Sequence, residues 1–160
     1  MASTTFSGPV TSTAGFISGS DSLVSVTADV TLTSASHAGR TMNLNVASGA
    51  TVTLPAASGT GNVYRFFVQT TVTSNNYVIQ VASGDDTMSG IAVVANDSDN
   101  TASIFETAAD SDTITLDGTT KGGILGGQVE LQDVASGKFR VLINQAATGT
   151  EATPFSAAVS

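Results

Sequence analysis

The chain has 160 residues, 41% hydrophobic and only 11% charged, with 16 Gly, 3 Pro and neither Cys nor Trp. Thirteen acidic side chains against five basic ones leave a formal charge of −8, too few cations to build a nucleic-acid-binding face. Without thiols there is no disulfide, no Cys-ligated zinc and no Cys nucleophile, and the single His37 cannot form a His pair around a metal.

A chain of about 150 residues buries roughly two thirds of the surface its unfolded form exposes, so the length supports one self-sufficient domain, or at most two. No apolar run approaches the roughly 20 residues of a membrane-spanning helix. Met1 to Val10 lacks the basic start and apolar stretch of a secretory signal, so the expectation is a soluble protein made in the cytosol, with no membrane partner. Thr, Ser and Ala dominate while Lys and Glu, the usual helix-surface residues, are scarce, which disfavours helices.

Residues 1–22 hold Ser, Thr and Gly punctuated by Phe6, Val10, Phe16 and Ile17. These are too few apolar groups for a strand pair, and the stretch reads as an extended N-terminal arm whose isolated apolar residues are candidate partner-binding anchors. Period-two alternation then starts at Val24 and runs to Leu32, the signature of a half-buried strand. It recurs over Met42–Val46 and Ala50–Leu54, where Pro55 stops the ladder.

Asn62 to Thr70 is the most aromatic stretch, with Tyr64, Phe66 and Val68 on one face and Val63, Arg65 and Phe67 on the other; both faces look partly covered, which places it centrally in a sheet or at a subunit contact. Turn residues Ser74-Asn75-Asn76 followed by Tyr77, Ile79 and Val81 suggest a hairpin over 62–82. Short strands are expected at Ile91–Val94, Ala102–Phe105, Thr113–Leu116, Gln128–Val134 and Lys138–Asn144, the last two forming a hairpin. Eight to ten strands and no convincing helix imply an all-β fold, an antiparallel β-sandwich or barrel of jelly-roll-like type. The expected division is an arm over 1–22, the β domain over 23–145 and a C-terminal tail over 146–160. The tetrapeptide Val-Ala-Ser-Gly, at 46–49, 81–84 and 134–137, closes a strand each time, and its unequal spacing argues against a stacked solenoid or propeller.

Candidate chemistry is thin. Asp85-Asp86 and Asn96 to Asn100 could offer oxygen ligands to calcium, but counting from Asp97 the Gly and Glu of a calcium loop are replaced by Ala102 and Ala108, so these read as solvated turns. Asp110, Asp112 and Asp117 read the same way. Gly118 to Gly127 is glycine-dense, yet glycine follows Lys121 and no helix is opened, so it is a loop with close backbone approach rather than a phosphate loop. His37 has no fixed acid nearby in sequence and no Gly-x-Ser-x-Gly elbow exists. Asn96-Asp97-Ser98 is a chance glycosylation match. Tyr64, Tyr77 and Phe67 would form a sugar-stacking platform only if they faced outward; core packing is the expected use. No catalytic residue, metal or cofactor is expected.

Thr4-Thr5-Phe6-Ser7-Gly8-Pro9-Val10 with Gly15-Phe16, the stretch Thr51 to Phe66, and Gly127 to Val134 with Gly137 to Val141 resemble small β-rich virion proteins of tailed bacteriophages, over about half the chain. The resemblance implies a non-enzymatic capsid decoration (cement) protein, made in the host cytoplasm and carried on the virion surface. Its partners would be the major capsid protein and its own copies in a homotrimer. Three rival readings stand beside it: a trimeric head-fibre or tail-fibre segment contacting host glycans; a major capsid or other shell-forming subunit, disfavoured by 160 residues without a helical segment; and a hydrolase or lyase on a β scaffold.

Overall fold

The computed structural model describes Ser7, Gly8 and residues 23–159. Among them the order of elements is β1 (Leu23–Val26), β2 (Val30–Thr31), α1 (Ser34–His37), β3 (Thr41–Leu44), β4 (Ala50–Thr53), β5 (Val63–Val68) and β6 (Tyr77–Gln80). There follow β7 (Thr87–Ala95), β8 (Ala102–Glu106), β9 (Thr113–Leu116), β10 (Gln128–Ala135), β11 (Lys138–Ala146) and β12 (Phe155–Ser156). They form a seven-stranded sheet, β1-β3-β5-β10-β11-β7-β8, and a five-stranded sheet, β12-β9-β6-β4-β2. The all-β fold expected from the alternation is what forms, as two sheets.

Inward residues of both sheets merge into one apolar core. Met42, Tyr64, Phe66, Leu131 and Phe139 come from the larger sheet; Val52, Tyr77, Ile79, Ile114 and Leu116 come from the smaller. β5 lies inside the larger sheet, between β3 and β10, as its aromatic content on both faces requires.

Both sheets are mixed, where the sequence suggested antiparallel, jelly-roll-like pairing. From β1 to β6 the chain alternates between the sheets, so β1, β3 and β5 lie parallel in one, and β2, β4 and β6 parallel in the other. Alternation reports which face a side chain takes, not which way the neighbouring strand runs. The supposed strand 24–32 is therefore two strands in different sheets, with Ala28 exposed at the bend between them. The supposed hairpin over 62–82 is likewise β5 and β6, one in each sheet. The winding resembles three coils of a solenoid of unequal length, and the Val-Ala-Ser-Gly copies do not mark its period. The first follows β3 and the second follows β6, on opposite crossings. The hairpin of β10 and β11 forms as expected.

Crossing between sheets takes main-chain groups out of the ladders, and side chains replace the lost partners. The Tyr77 hydroxyl accepts the Val46 N–H at 3.0 Å and donates to the Thr70 carbonyl at 2.9 Å, joining the 45–49 and 69–76 crossings. Thr70 donates to Asn45 Oδ1 at 2.6 Å and Asn75 Nδ2 to the Ser48 carbonyl at 3.0 Å at the same corner. Gly49 has φ of 81° there, and a Cβ on it would strike the main chain of Asn76, so only glycine fits. Burial holds the Tyr77 phenol above its ordinary pKa, against the Val46 N–H that favours the charged form.

The segment 146–160, expected as a tail, is part of the domain through Val159. β12 pairs with β9, Pro154 and Phe155 are buried, and Asp112 accepts the N–H groups of Ala158 (2.8 Å) and Val159 (3.1 Å). Its Ala and Thr content hid this, because the buried anchors are only Ala147, Pro154 and Phe155.

Tyr77→Phe removes the hydroxyl and leaves the Val46 N–H and Thr70 carbonyl without it. The expected loss of unfolding free energy is about 1–2 kcal/mol, read as a lower urea midpoint with unchanged slope.

Candidate interaction face and the carboxylate clamps

Register across the larger sheet fixes what its outer face presents. One row runs Arg65, Glu130, Leu142, Ile91 and Glu106; the next runs Phe67, Gln128, Asn144, Val93 and Ile104. Strands there alternate cleanly because each is core-facing on one side only. The two ends of the face differ. Toward β5, Arg65 Nε meets Glu130 Oε2 at 3.2 Å and Arg140 Nη2 meets Glu130 Oε1 at 2.9 Å. Such exposed pairs contribute no more than about 1 kcal/mol each, and they fix the carboxylate between two cations. Beside them a concavity of about 570 Å³ is bounded by Leu23, Asn43, Phe67, Gln128, Leu142 and Asn144. Toward the other edge the face is apolar: Ile104 is 65% exposed, Leu142 39% and Ile91 38%.

The smaller sheet presents a different surface. Its outward positions on β2, β4 and β9 include Thr31, Thr51, Thr53 and Thr115, with Val78 and Gln80 on β6 between them. Lys138, Arg65 and Arg140 all stand on strands of the larger sheet, in a chain with only five Lys and Arg in total.

Buried and loop carboxylates close the chain's crossings and turns, among them Asp86, Asp97, Asp99, Asp112 and Asp117 from the clusters that invited a metal reading. Asp133 points inward from β10 and takes the N–H groups of Ser58 (3.0 Å), Gly59 (2.6 Å) and Thr60 (3.0 Å), together with the Thr60 hydroxyl (2.6 Å). It thereby pins the crossing from β4 to β5, which begins at Leu54-Pro55. Burial pushes this carboxyl upward, but the Thr60 hydroxyl and the three N–H donors outweigh it, and its pKa is lowered. Asp117 is also lowered: against burial, it accepts N–H bonds from Lys121 (2.9 Å) and Thr119 (2.8 Å) and the Thr120 hydroxyl (2.9 Å). Asp86 accepts the Ala57 N–H, Asp97 the Gly149 N–H, and Asp99 the Thr101 hydroxyl and N–H, the hydroxyl bond holding its pKa down first. Among the described residues no group of three or more His, Asp or Glu is placed to hold a metal ion.

His37 ends the single turn α1, where its Nδ1 takes the Thr33 N–H at 2.9 Å. Tyr64 and Tyr77 are buried, so of the three aromatic residues considered for a sugar platform only Phe67 reaches the outer face. The glycine-dense loop does show close approach: Gln145 points inward from β11 and its Oε1 accepts the Gly123 N–H at 3.0 Å. The sequence-predicted anchors Phe6, Val10, Phe16 and Ile17 lie outside the described residues. Asp133 and Gln145 were missed. Each carries a readable signal, a polar residue at an inward position of an otherwise apolar alternation (Val129, Leu131, Asp133; Val141, Ile143, Gln145).

No family model, no curated protein and no solved structure matches the chain.

A carboxyl with lowered pKa in the fold stabilises it fully above the unfolded value near 3.9, and that contribution is lost as pH falls through the folded value. Asp133→Asn should therefore cost about 1–3 kcal/mol at neutral pH. Its stability should fall less steeply than the parent's on acidification below about pH 4, measured by urea unfolding at a series of pH values.

Proposed function

We propose that this chain is a capsid decoration protein of a tailed bacteriophage, a non-enzymatic part that binds the outer surface of the head through the major capsid protein and through its own copies, as a homotrimer. The observation that carries this reading is the outer face of the larger sheet. Its Ile91 and Leu142 are exposed side by side in one row and Ile104 in the next, although the core they leave out is already complete. Contiguous exposed apolar surface on a β-sheet suits a permanent protein contact better than a reaction. The resemblance of the 51–66 and 127–141 stretches to small virion proteins supports the same reading, and these stretches meet at the Asp133 clamp.

In this role Phe6, Val10, Phe16 and Ile17 are the anchors of an arm that grips a neighbour. Each would contribute about 1.5–3 kcal/mol on burial, against an ordering cost of about 1–2 kcal/mol per residue. One arm is marginal, and several arms on one assembly hold by multivalency. Removing residues 2–20 should leave a folded domain that no longer co-sediments with purified phage heads stripped of their surface proteins. Unchanged occupancy would remove the arm from the mechanism, and a monomer by sedimentation equilibrium at high concentration would remove the trimer.

One observation favours a second reading, a fibre segment that contacts glycans. Phe67 stands in the concavity with Asn43 directly opposite it on β3 and Gln128 opposite it on β10, an aromatic face between two amides. If that reading holds, binding to a glycan array disappears in Phe67→Ala while the thermal midpoint stays within a few degrees; absence of glycan binding by the parent would sink it.

A further inference from the structure

The four sheet edges are not equally protected. β2 and β12 are two residues long, too short to template another chain, and β2 is flanked by Asp29, whose carboxylate takes the Thr51 N–H. β1 has four residues and continues the N-terminal stretch. β8 has five, Ala102-Ser103-Ile104-Phe105-Glu106, with no Pro, no Lys or Arg and a charge only at its end. These are the devices that normally blunt an edge, and β8 lacks them.

Its hydrogen-bonding parity can be read from the two bonds that flank the β7–β8 ladder. Thr107 N–H donates to the Gly90 carbonyl and Asn96 N–H to the Thr101 carbonyl, both at 3.1 Å. With the register Val93↔Ile104, this turns the main-chain groups of Ser103 and Phe105 toward β7 and those of Ala102, Ile104 and Glu106 outward. β8 has no strand on its far side among the described residues. The outward set is centred on Ile104, and the sequence around it is self-complementary in charge. In an antiparallel pair of two β8 strands, Ile104 faces the partner's Ile104, and Ala102 faces the partner's Glu106. No carboxylate meets another.

We propose that β8 joins two copies of this chain edge to edge, antiparallel about a twofold axis at Ile104, making one continuous sheet from the two larger sheets. The pairing satisfies the outward main-chain groups of Ala102, Ile104 and Glu106 and brings the two apolar outer patches into line, since Ile104 is continuous with Val93, Ile91 and Leu142. A five-residue edge buries well under the roughly 1,200 Å² of a stable complex. The contact is reversible in solution and becomes persistent where copies are already held side by side. The pairing is a property of the isolated protein and does not depend on head binding.

The test uses the absence of cysteine in the chain. Opposed residues of a hydrogen-bonded antiparallel pair have Cα atoms about 5.5 Å apart, within disulfide reach. Ile104→Cys should form a disulfide-linked pair under mild oxidation about tenfold faster than Ser25→Cys, an exposed position on the opposite edge strand, because pairing raises the local thiol concentration. By sedimentation equilibrium the parent should rise with concentration toward twice its dilute mass. Ile104→Pro, which removes the outward N–H and spares the β7 ladder, should abolish the rise, and so should Ile104→Lys, which places two cations in opposition at an exposed site. A parent whose mass never doubles, a doubling that survives both substitutions, or equal crosslinking at positions 25 and 104 would overturn the proposal.

Discussion

Each passage from one sheet to the other removes main-chain donors and acceptors from the ladders, and the fold depends on supplying them with partners. A parallel winding of two sheets multiplies such passages, since no strand returns beside itself. The composition answers this demand. Thr, Ser, Asn and Asp serve the corners, and Asp29, Asp86, Asp97, Asp112, Asp117 and Asp133 each accept at least one main-chain N–H. Much of the acidity is therefore a property of the corners. The −8 charge says little about the sign of a partner.

How far the sequence could be read follows from what period-two alternation measures. It located β4, β10 and β11 nearly to the residue, because each is a run with one face buried, and turn residues on either side bounded β9. It could not distinguish a strand that reverses from one that crosses, so 24–32 read as one strand and 62–82 as a hairpin. Gly49 and Asn75, with positive φ on two adjoining crossings, are ordinary turn residues that specify a bend without its destination. The outer face was half legible: Arg65 and Phe67 were placed on the side away from Tyr64, but the alignment of Phe67 with Gln128 and Val93 with Ile104 needs the strand order. The buried Asp133 was visible as a break in alternation, and its partner loop, 75 residues away from it at Ser58, was not.

The two outer surfaces divide the molecule chemically. The smaller sheet is threonine-rich, while the larger sheet gathers cations and exposed aliphatic side chains in a chain that is otherwise acidic. The molecule thus has one face suited to contact and one suited to water.

The position of the β10–β11 hairpin has a consequence for biogenesis. In the larger sheet it is inserted between β5 and β7, although it is made after both. Until the ribosome has released residues through Ala146, the borders of β5 and β7 that face each other across the hairpin have no strand to pair with. The hairpin acts as a keystone. Translation that stalls before Gln128 leaves those borders open to neighbouring polypeptides, an aggregation hazard of the growing chain that the completed sheet removes.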